Sequence, residues 1–343
     1  MSVVGRDGHC PADLAPSVPD RRFGHLDWDV PIAGLGCDNF GVRLDRHQSV
    51  SVVHAALDAG VQFFDTARAY GKGRSEEFLG EALKGCREEV RIATKFGTPF
   101  EVAGDEVKRV SDGGFASPDI MRASLEASLR ALNVDHIDLF QIHHYDPGTP
   151  LEDMLLAMDG LVQAGKVLAI GCSNFSIEQV FHVAKLCEGL SIEAIASVQF
   201  EWSLVNRVLE ADIRAGADKL GFSVLPYYPL AGGLLAGRVS MEGEVAAASR
   251  LRNPRYARFL GQENIDLVRR VASWGDAHGR TLLQVALGWL AAQQCVGCVI
   301  AGASTPEQVR ENVQSTGVRL SADEVQDIDE LTAAPVIRAS RPR

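Results

Sequence analysis

Several short apolar runs in this sequence end in polar groups that could do chemistry. Phe63 and Phe64 lead into Asp65 and Thr66, with Tyr70 five residues beyond the aspartate. Ala93 leads into Thr94 and Lys95, and Ile142 into His143 and His144. Cys172 precedes Ser173 and Asn174, Val198 precedes Gln199, and Pro226 precedes Tyr227, Tyr228 and Pro229. Ala301 is followed by Gly302, Ser304 and Thr305. Aspartate, tyrosine, lysine and histidine are groups used in general acid–base catalysis. A lysine alone would also allow the Schiff-base chemistry of an aldolase or isomerase. Each residue has a plainer reading: Asp65 as a helix cap, Tyr70 as a packed loop aromatic, Lys95 as a solvated strand end. Structure alone is a poor account of the whole set, one polar end after another.

The runs that would position these groups are regularly spaced. They are 32–36, 62–65, 90–94, 137–142, 167–171, 195–200, 222–225 and 296–300. Several are continuously apolar, as parallel strands covered by helices are. Helix starts lie between them. Pro118 stands at a first helical position. Thr149-x-x-Glu152 reads as a capping box, with Gly165 closing that helix. Ser176-x-x-Gln179, Thr281-x-x-Gln284, Thr305-x-x-Gln308 and Ser321-x-x-Glu324 repeat the pattern. Eight strand–helix units fit a closed (β/α)8 barrel of the α/β class, and 343 residues suit one barrel with insertions. A doubly wound dinucleotide-binding sheet would want G-x-G-x-x-G after its first strand; Gly34, Gly36 and Gly41 have the wrong spacing.

The expected organisation is a flexible extension over 1–22, one barrel domain over 23–335 and a tail over 336–343. A small hairpin over 22–30 would cap the N-terminal end of the barrel. Two long segments, 96–117 and 232–262, are rich in glycine and suited to folding over a ligand.

Net charge is −11 with no basic block, which argues against nucleic acid or an acidic membrane surface as partner. No apolar stretch is long enough to span a bilayer, and the first residues lack a signal-peptide core. The 7 cysteines are an odd, scattered set, which reads as free thiols in a reducing, cytoplasmic setting. Cys295 and Cys298 form C-x-x-C within a strand-like apolar run and read as core residues, so no metal is expected.

The motifs together resemble the aldo-keto reductase superfamily. The match runs through Phe64-Asp65-Thr66-Ala67-x-x-Tyr70-Gly71, Ser75-Glu76-Glu77-x-Leu79-Gly80, Ala93-Thr94-Lys95 and Asp138-x-x-Gln141-Ile142-His143. It continues through Gly171-Cys172-Ser173-Asn174-Phe175, Pro229-Leu230-Ala231-Gly232-Gly233-Leu234 and Gly302-x-Ser304-Thr305-Pro306-Glu307-Gln308-x-x-Glu311-Asn312. The order is the family's, and nearly the whole chain is covered. The bacterial, aldose-dehydrogenase-like and channel-subunit-like branches are the most similar.

The resemblance implies reversible reduction of an aldehyde or ketone, the hydride coming from a nicotinamide and the proton from Tyr70. A free tyrosine titrates near about 10, too high for easy donation; a neighbouring ammonium lowers that value. Lys95 would supply the ammonium, Asp65 would hold it, and His143 would orient the carbonyl. His144 and Tyr145 would line the substrate pocket. Ser173, Asn174 and Gln199 would hold the nicotinamide carboxamide, with Tyr227 stacked on the ring and Tyr228 where serine is frequent. Pro229, Leu230, Ala231, Gly232 and Arg238 would wrap the pyrophosphate. Gly302, Ser304, Gln308, Glu311 and Asn312 would hold the adenosine end. Gly36, Cys37 and Asp38 would border nicotinamide and substrate, although Asp38 also suits a loop cap. NADPH/NADP+ is the implied cofactor. Gln308 stands where many members have arginine, which leaves NAD open. The implied partner is a small carbonyl or sugar; oligomeric state stays open. A cofactor-sensing regulatory subunit with little turnover is the alternative reading.

Overall fold

The computed structural model describes residues 18–103, 106–109, 114–238, 245–246 and 249–333. The chain opens with strands β1 (Asp20–Arg22) and β2 (Asp29–Pro31), paired antiparallel with Arg21 opposite Val30. Next come β3 (Ala33–Gly36), β4 (Phe63–Asp65) and β5 (Arg91–Phe96). A two-stranded hairpin, β6 (Phe100–Ala103) and β7 (Glu106–Arg109), follows. The remaining strands are β8 (Ile137–Ile142), β9 (Val167–Ser173), β10 (Ser197–Glu201), β11 (Ser223–Tyr227) and β12 (Val299–Gly302).

Eight of these strands form one parallel sheet in the order β11-β10-β9-β8-β5-β4-β3-β12. The ends of that order meet. Val224 in β11 donates to the Cys295 carbonyl at 2.7 Å and accepts from the Gly297 amide at 3.0 Å, closing a (β/α)8 barrel. The last strand begins at Val299, later than the apolar run 296–300 suggests. Val296 instead makes a lone bridge to Val224.

The helices are α1 (Arg46–Asp58), α2 (Arg74–Ala82), α3 (Pro118–Leu132), α4 (Leu151–Gln163), α5 (Ile177–Leu190), α6 (Glu210–Leu220), α7 (Gln262–Ala277), α8 (Leu282–Ala292), α9 (Pro306–Thr316) and α10 (Ala322–Thr332). None is long and apolar enough to cross a membrane, among the described residues. Every residue of β8 is buried, because one face meets the barrel interior and the other the helices.

The floor of the barrel is filled by Phe63, Ala93, Leu139, Ala169, Leu225 and Cys298, with Phe23 from the hairpin stacked 5.5 Å from Phe63. Cys298 is thus a core residue, and the described cysteines are free. Gly24, at φ +59°, lets the hairpin lie against β10; a Cβ there would stand 2.5 Å from the Ala196 carbonyl. Arg21 donates to the carbonyls of Ala291 and Gln293, which the end of α8 leaves without helical partners, and to that of Val296 beyond it. The span 1–22 read as an extension therefore ends in a structural strand. Residues 1–17 and the tail 336–343 lie outside the described residues.

The capping boxes at Ser176, Thr281 and Ser321 form. Another at Asp45, with Gln48, was not anticipated. The box expected at Thr149 does not form. Pro150 precedes α4 without a side-chain cap, and the Thr149 hydroxyl donates to Asp146 at 2.7 Å instead. The segment 96–117, read as a loop, contains the β6–β7 hairpin.

Asp146 joins the loops that leave β5 and β8. Its carboxylate accepts from the amides of Gly114 (3.0 Å), Ala116 (2.8 Å) and Gly148 (2.9 Å) and from Thr149. Burial works to raise its carboxyl, but these hydrogen bonds outweigh burial and hold it below the usual range. A carboxyl depressed in the folded state stabilises it above the unfolded value of about 4, and the contribution disappears as pH falls through the folded value. Asp146→Asn should therefore lower the melting temperature at neutral pH and flatten the acid side of the stability profile. An unchanged acid limb in thermal melts from pH 7 to 3 would reject that assignment.

Candidate active site

The polar layer sits where the strands exit. Ala93 faces the barrel floor, so Lys95, two residues further along β5, points the same way one layer higher. Leu139 and Gln141 are related alike in β8, and Lys95 lies opposite Gln141 in register. Asp65 closes β4. Its Oδ2 accepts from Lys95 Nζ at 2.6 Å; its Oδ1 accepts from Gln199 at 2.5 Å and from Gln141 at 3.4 Å. Lys95 also donates to the Thr66 carbonyl at 2.9 Å. Asp65 is 4% exposed and Lys95 1%. An ion pair this dry needs further hydrogen bonds on both members, and Gln199, Gln141 and the Thr66 carbonyl supply them here.

Tyr70 begins a 3-10 turn (Tyr70–Gly73) after β4 and is half-buried. Lys95 Nζ stands 5.2 Å from the centroid of its ring. The His143 ring meets Tyr70 edge-on, 5.9 Å between centroids and 81° between planes. Of the two adjacent histidines, His143 is therefore the one beside Tyr70. Its backbone is fixed by donation to the Phe96 carbonyl at 2.7 Å and by acceptance from Asn174 Nδ2 at 2.9 Å. His144 lies edge-on to His143 at 4.8 Å, and Tyr145 packs edge-on against Phe175 at 5.5 Å. Asp65, Tyr70, Lys95 and His143 are thus brought into one cluster.

A second polar group adjoins it. Ser173 is buried at the end of β9, and Asn174 follows with φ +59°. Asn174 donates to the Ser173 hydroxyl at 3.1 Å and accepts from the Tyr227 hydroxyl at 2.7 Å. Gln199 of β10 pairs with Ser173 in register. Hydroxyl and amide groups of Ser173, Asn174 and Gln199, beside the half-buried Tyr227 ring, form a donor and acceptor set that suits a carboxamide on a flat ring. Tyr228 (φ +51°) turns the chain into an aromatic nest with Tyr256 at 5.8 Å and Phe259 at 6.1 Å. Pro229 and Leu230 lead into a 3-10 helix (Ala231–Ala236) that contains Gly232, and Arg238 follows, exposed.

On the other side, Gly36 of β3 and Gly302 of β12 are paired in register. Cys37 donates its amide to the Asp65 carbonyl at 2.9 Å. Burial pushes its thiol far above the usual range, with Asp65 and Asp38 adding to the effect, so it is no thiolate nucleophile. Asp38 pairs with Arg250 at 3.0 Å, and Arg250 also donates to Asn39 at 2.7 Å.

At the start of α9, Gln308 folds back. Its side-chain oxygen accepts from the Ser304 amide at 2.9 Å, and its own amide donates to Thr305 at 3.3 Å. Thr305 thus caps α9 as expected, and only the reciprocal bond is shifted by one residue, to the Ser304 amide. Asn312 is buried and donates to the Gly302 carbonyl at 3.3 Å, Glu311 is exposed, and Arg310 lies 3.7 Å from Glu307.

Sequence reasoning assigned no role to Gln141, Glu76, Arg68, Asp146 or Arg250. Gln141 had a usable signal, its two-residue offset from Leu139 in a barrel strand. Arg250 had none, since its partner Asp38 is 212 residues away.

The family model described as the aldo/keto reductase family matches residues 33–333. A soybean (Glycine max) protein named "Probable aldo-keto reductase 1" is 30% identical over 326 residues, covering 92% of this chain and 88% of its own length. That family comprises oxidoreductases that act on carbonyl groups and generally use nicotinamide cofactors. A closed barrel with acid–base side chains gathered at its strand exits, matched over nearly its full length by one family, is a member of it: this chain belongs to the aldo/keto reductase family.

Proposed function

We propose that this protein reduces an aldehyde or ketone to the alcohol, with Tyr70 as proton donor and NADPH as the preferred reductant. The observation that carries this reading is the placement of Lys95, whose ammonium is held by Asp65 at 2.6 Å and stands 5.2 Å from the Tyr70 ring. When bound, the nicotinamide supplies a hydride to the carbonyl carbon. Tyr70 donates its phenolic proton to the carbonyl oxygen. The ammonium of Lys95 favours the phenolate that remains, and Asp65 keeps that ammonium in place. His143, edge-on to Tyr70, orients the carbonyl oxygen and stabilises the charge that grows on it. Ser173, Asn174 and Gln199 position the carboxamide, and Tyr227 supports the ring. The reverse direction oxidises an alcohol, with Tyr70 as base.

The substrate is a small carbonyl compound or sugar, met between His144, Tyr145 and the loops after β3 and β11. Free cysteines suit a reducing cytoplasmic setting. At the adenosine end, Gln308 is committed to the α9 cap and offers no guanidinium to a 2′-phosphate. Preference for NADPH over NADH is therefore modest.

Tyr70→Phe should lower kcat by about 10²- to 10⁴-fold with an activated aldehyde while leaving the cofactor Kd unchanged. Near-full kcat in that variant would exclude Tyr70 as donor. Gln308→Arg should tighten NADPH binding about tenfold and NADH binding little. Equal effects on both cofactors, measured by fluorescence titration, would place the 2′-phosphate elsewhere.

A further inference from the structure

Tyr70 lies on a loop whose backbone runs through an unfavourable conformation despite its 3-10 hydrogen bonds. Gly71, Lys72 and Gly73 follow it with φ values of +57°, +58° and +88°. Such a left-handed run is unfavourable for a non-glycine residue like Lys72, so the surroundings must hold it. The groups that hold it come from β5 and the first turn of α2.

Arg68, two residues before Tyr70, donates its amide to the Lys95 carbonyl at 3.3 Å. Its guanidinium donates to Glu76 Oε2 at 3.2 Å. Glu76 Oε1 accepts from the Thr94 hydroxyl at 2.7 Å, and Thr94 is the neighbour of Lys95 in β5. The circuit is closed: loop backbone to Lys95, loop side chain to Glu76, Glu76 back to β5. Glu76 is 0% exposed, whereas the Arg68 side chain is 31% exposed. Burial pushes the Glu76 carboxyl up, while Ser128, Thr94 and Arg68 pull the other way without overcoming it. Its place in the first turn of α2 also favours a negative charge. Alongside, the Ser75 hydroxyl lies 2.8 Å from that of Thr66 and donates to the Cys37 carbonyl at 2.9 Å. Gly73 leaves room for the clamp; a Cβ there would stand 2.2 Å from Arg68 Nη1.

We propose that Glu76 and Arg68 are positioning residues, a buried clamp that fixes the Tyr70 loop on β5 and so sets Tyr70 against Lys95. An apolar pair could fill the same space at lower desolvation cost, but without directional bonds it would not hold the loop's register on the strand. The inference rests on Tyr70 being the acid. It assigns Glu76, a carboxylate outside the proton path, a mechanical function in turnover.

The test measures kcat, cofactor Kd and melting temperature for Glu76→Leu, Glu76→Gln, Arg68→Met and the Glu76→Gln/Arg68→Met double variant, beside Tyr70→Phe. Each single change should lower kcat about 10- to 100-fold, the scale expected for a small misplacement of a reacting group. Cofactor Kd should stay within threefold, because the proposed nicotinamide-binding residues lie on other strands. Glu76→Gln, which keeps hydrogen-bonding atoms, should retain more kcat than Glu76→Leu. The double variant should be no worse than the poorer of its two single changes, since both break one circuit. Should Glu76→Leu fail to fold, the Glu76→Gln/Arg68→Met double variant carries the test, because it removes both charges and leaves no uncompensated carboxylate buried. Folded variants with kcat within twofold of the parent, while Tyr70→Phe is inactive, would overturn the clamp alone. Losses that multiply in the double variant, with cofactor Kd weakened in parallel, would also overturn it. Full activity in Tyr70→Phe would remove the acid assignment and the clamp with it.

Discussion

The ion pair between Asp65 and Lys95 is the constraint around which the top of this barrel is arranged. Two charges at 4% and 1% exposure are costly to bury. The structure offsets that cost with polar partners: Gln199 and Gln141 on the carboxylate, the Thr66 carbonyl on the ammonium. The pair and these partners come from β4 and the residue after it, β5, β8 and β10. The pair therefore also reports that the barrel has closed with the right stagger, because a slipped register would turn Lys95 or Gln141 away from the interior. The charge that suits proton transfer and the geometry that suits closure are satisfied by the same side chains.

Below that layer the barrel is apolar and sealed. Phe23 and Phe63 stack in the floor, Cys298 packs beside them, and Arg21 ties the hairpin to the end of α8. Stability is concentrated there, while the loops above carry the polar groups. The upper loops are themselves pinned at a few points: Asp146 between two of them, Asp38 with Arg250 between two others, and Glu76 with Arg68 behind Tyr70. Each pin is a charged group with several partners. Glycine-rich loops left to themselves would sample many conformations, and directional bonds restrict them at modest entropic cost.

Local signals were legible. The apolar runs marked the barrel strands to within a few residues, because a buried parallel strand needs an unbroken apolar stretch. Capping boxes at Ser176, Thr281 and Ser321 were legible because cap and partner lie three residues apart. Thr149 shows the limit of that logic. Its hydroxyl had two candidate uses, and the nearby Asp146 carboxylate, itself shaped by amides from 114 and 116, took it from the helix. Spacing makes Gln308 the cap partner of Thr305, and it is, but its side-chain oxygen takes the Ser304 amide rather than that of Thr305.

Residue types and their order made the chemistry available. The sequence placed Asp65, Tyr70, Lys95 and His143 at strand ends, and order and spacing alone assigned them to one face of a barrel. Tertiary structure decided how they are held: which histidine meets Tyr70, which amides complete the Asp65 shell, and which buried charges brace the loop. Those contacts join residues from 8 to 134 positions apart. Periodicity carries no information about such pairs, since they exist only once the barrel has brought its strand ends together.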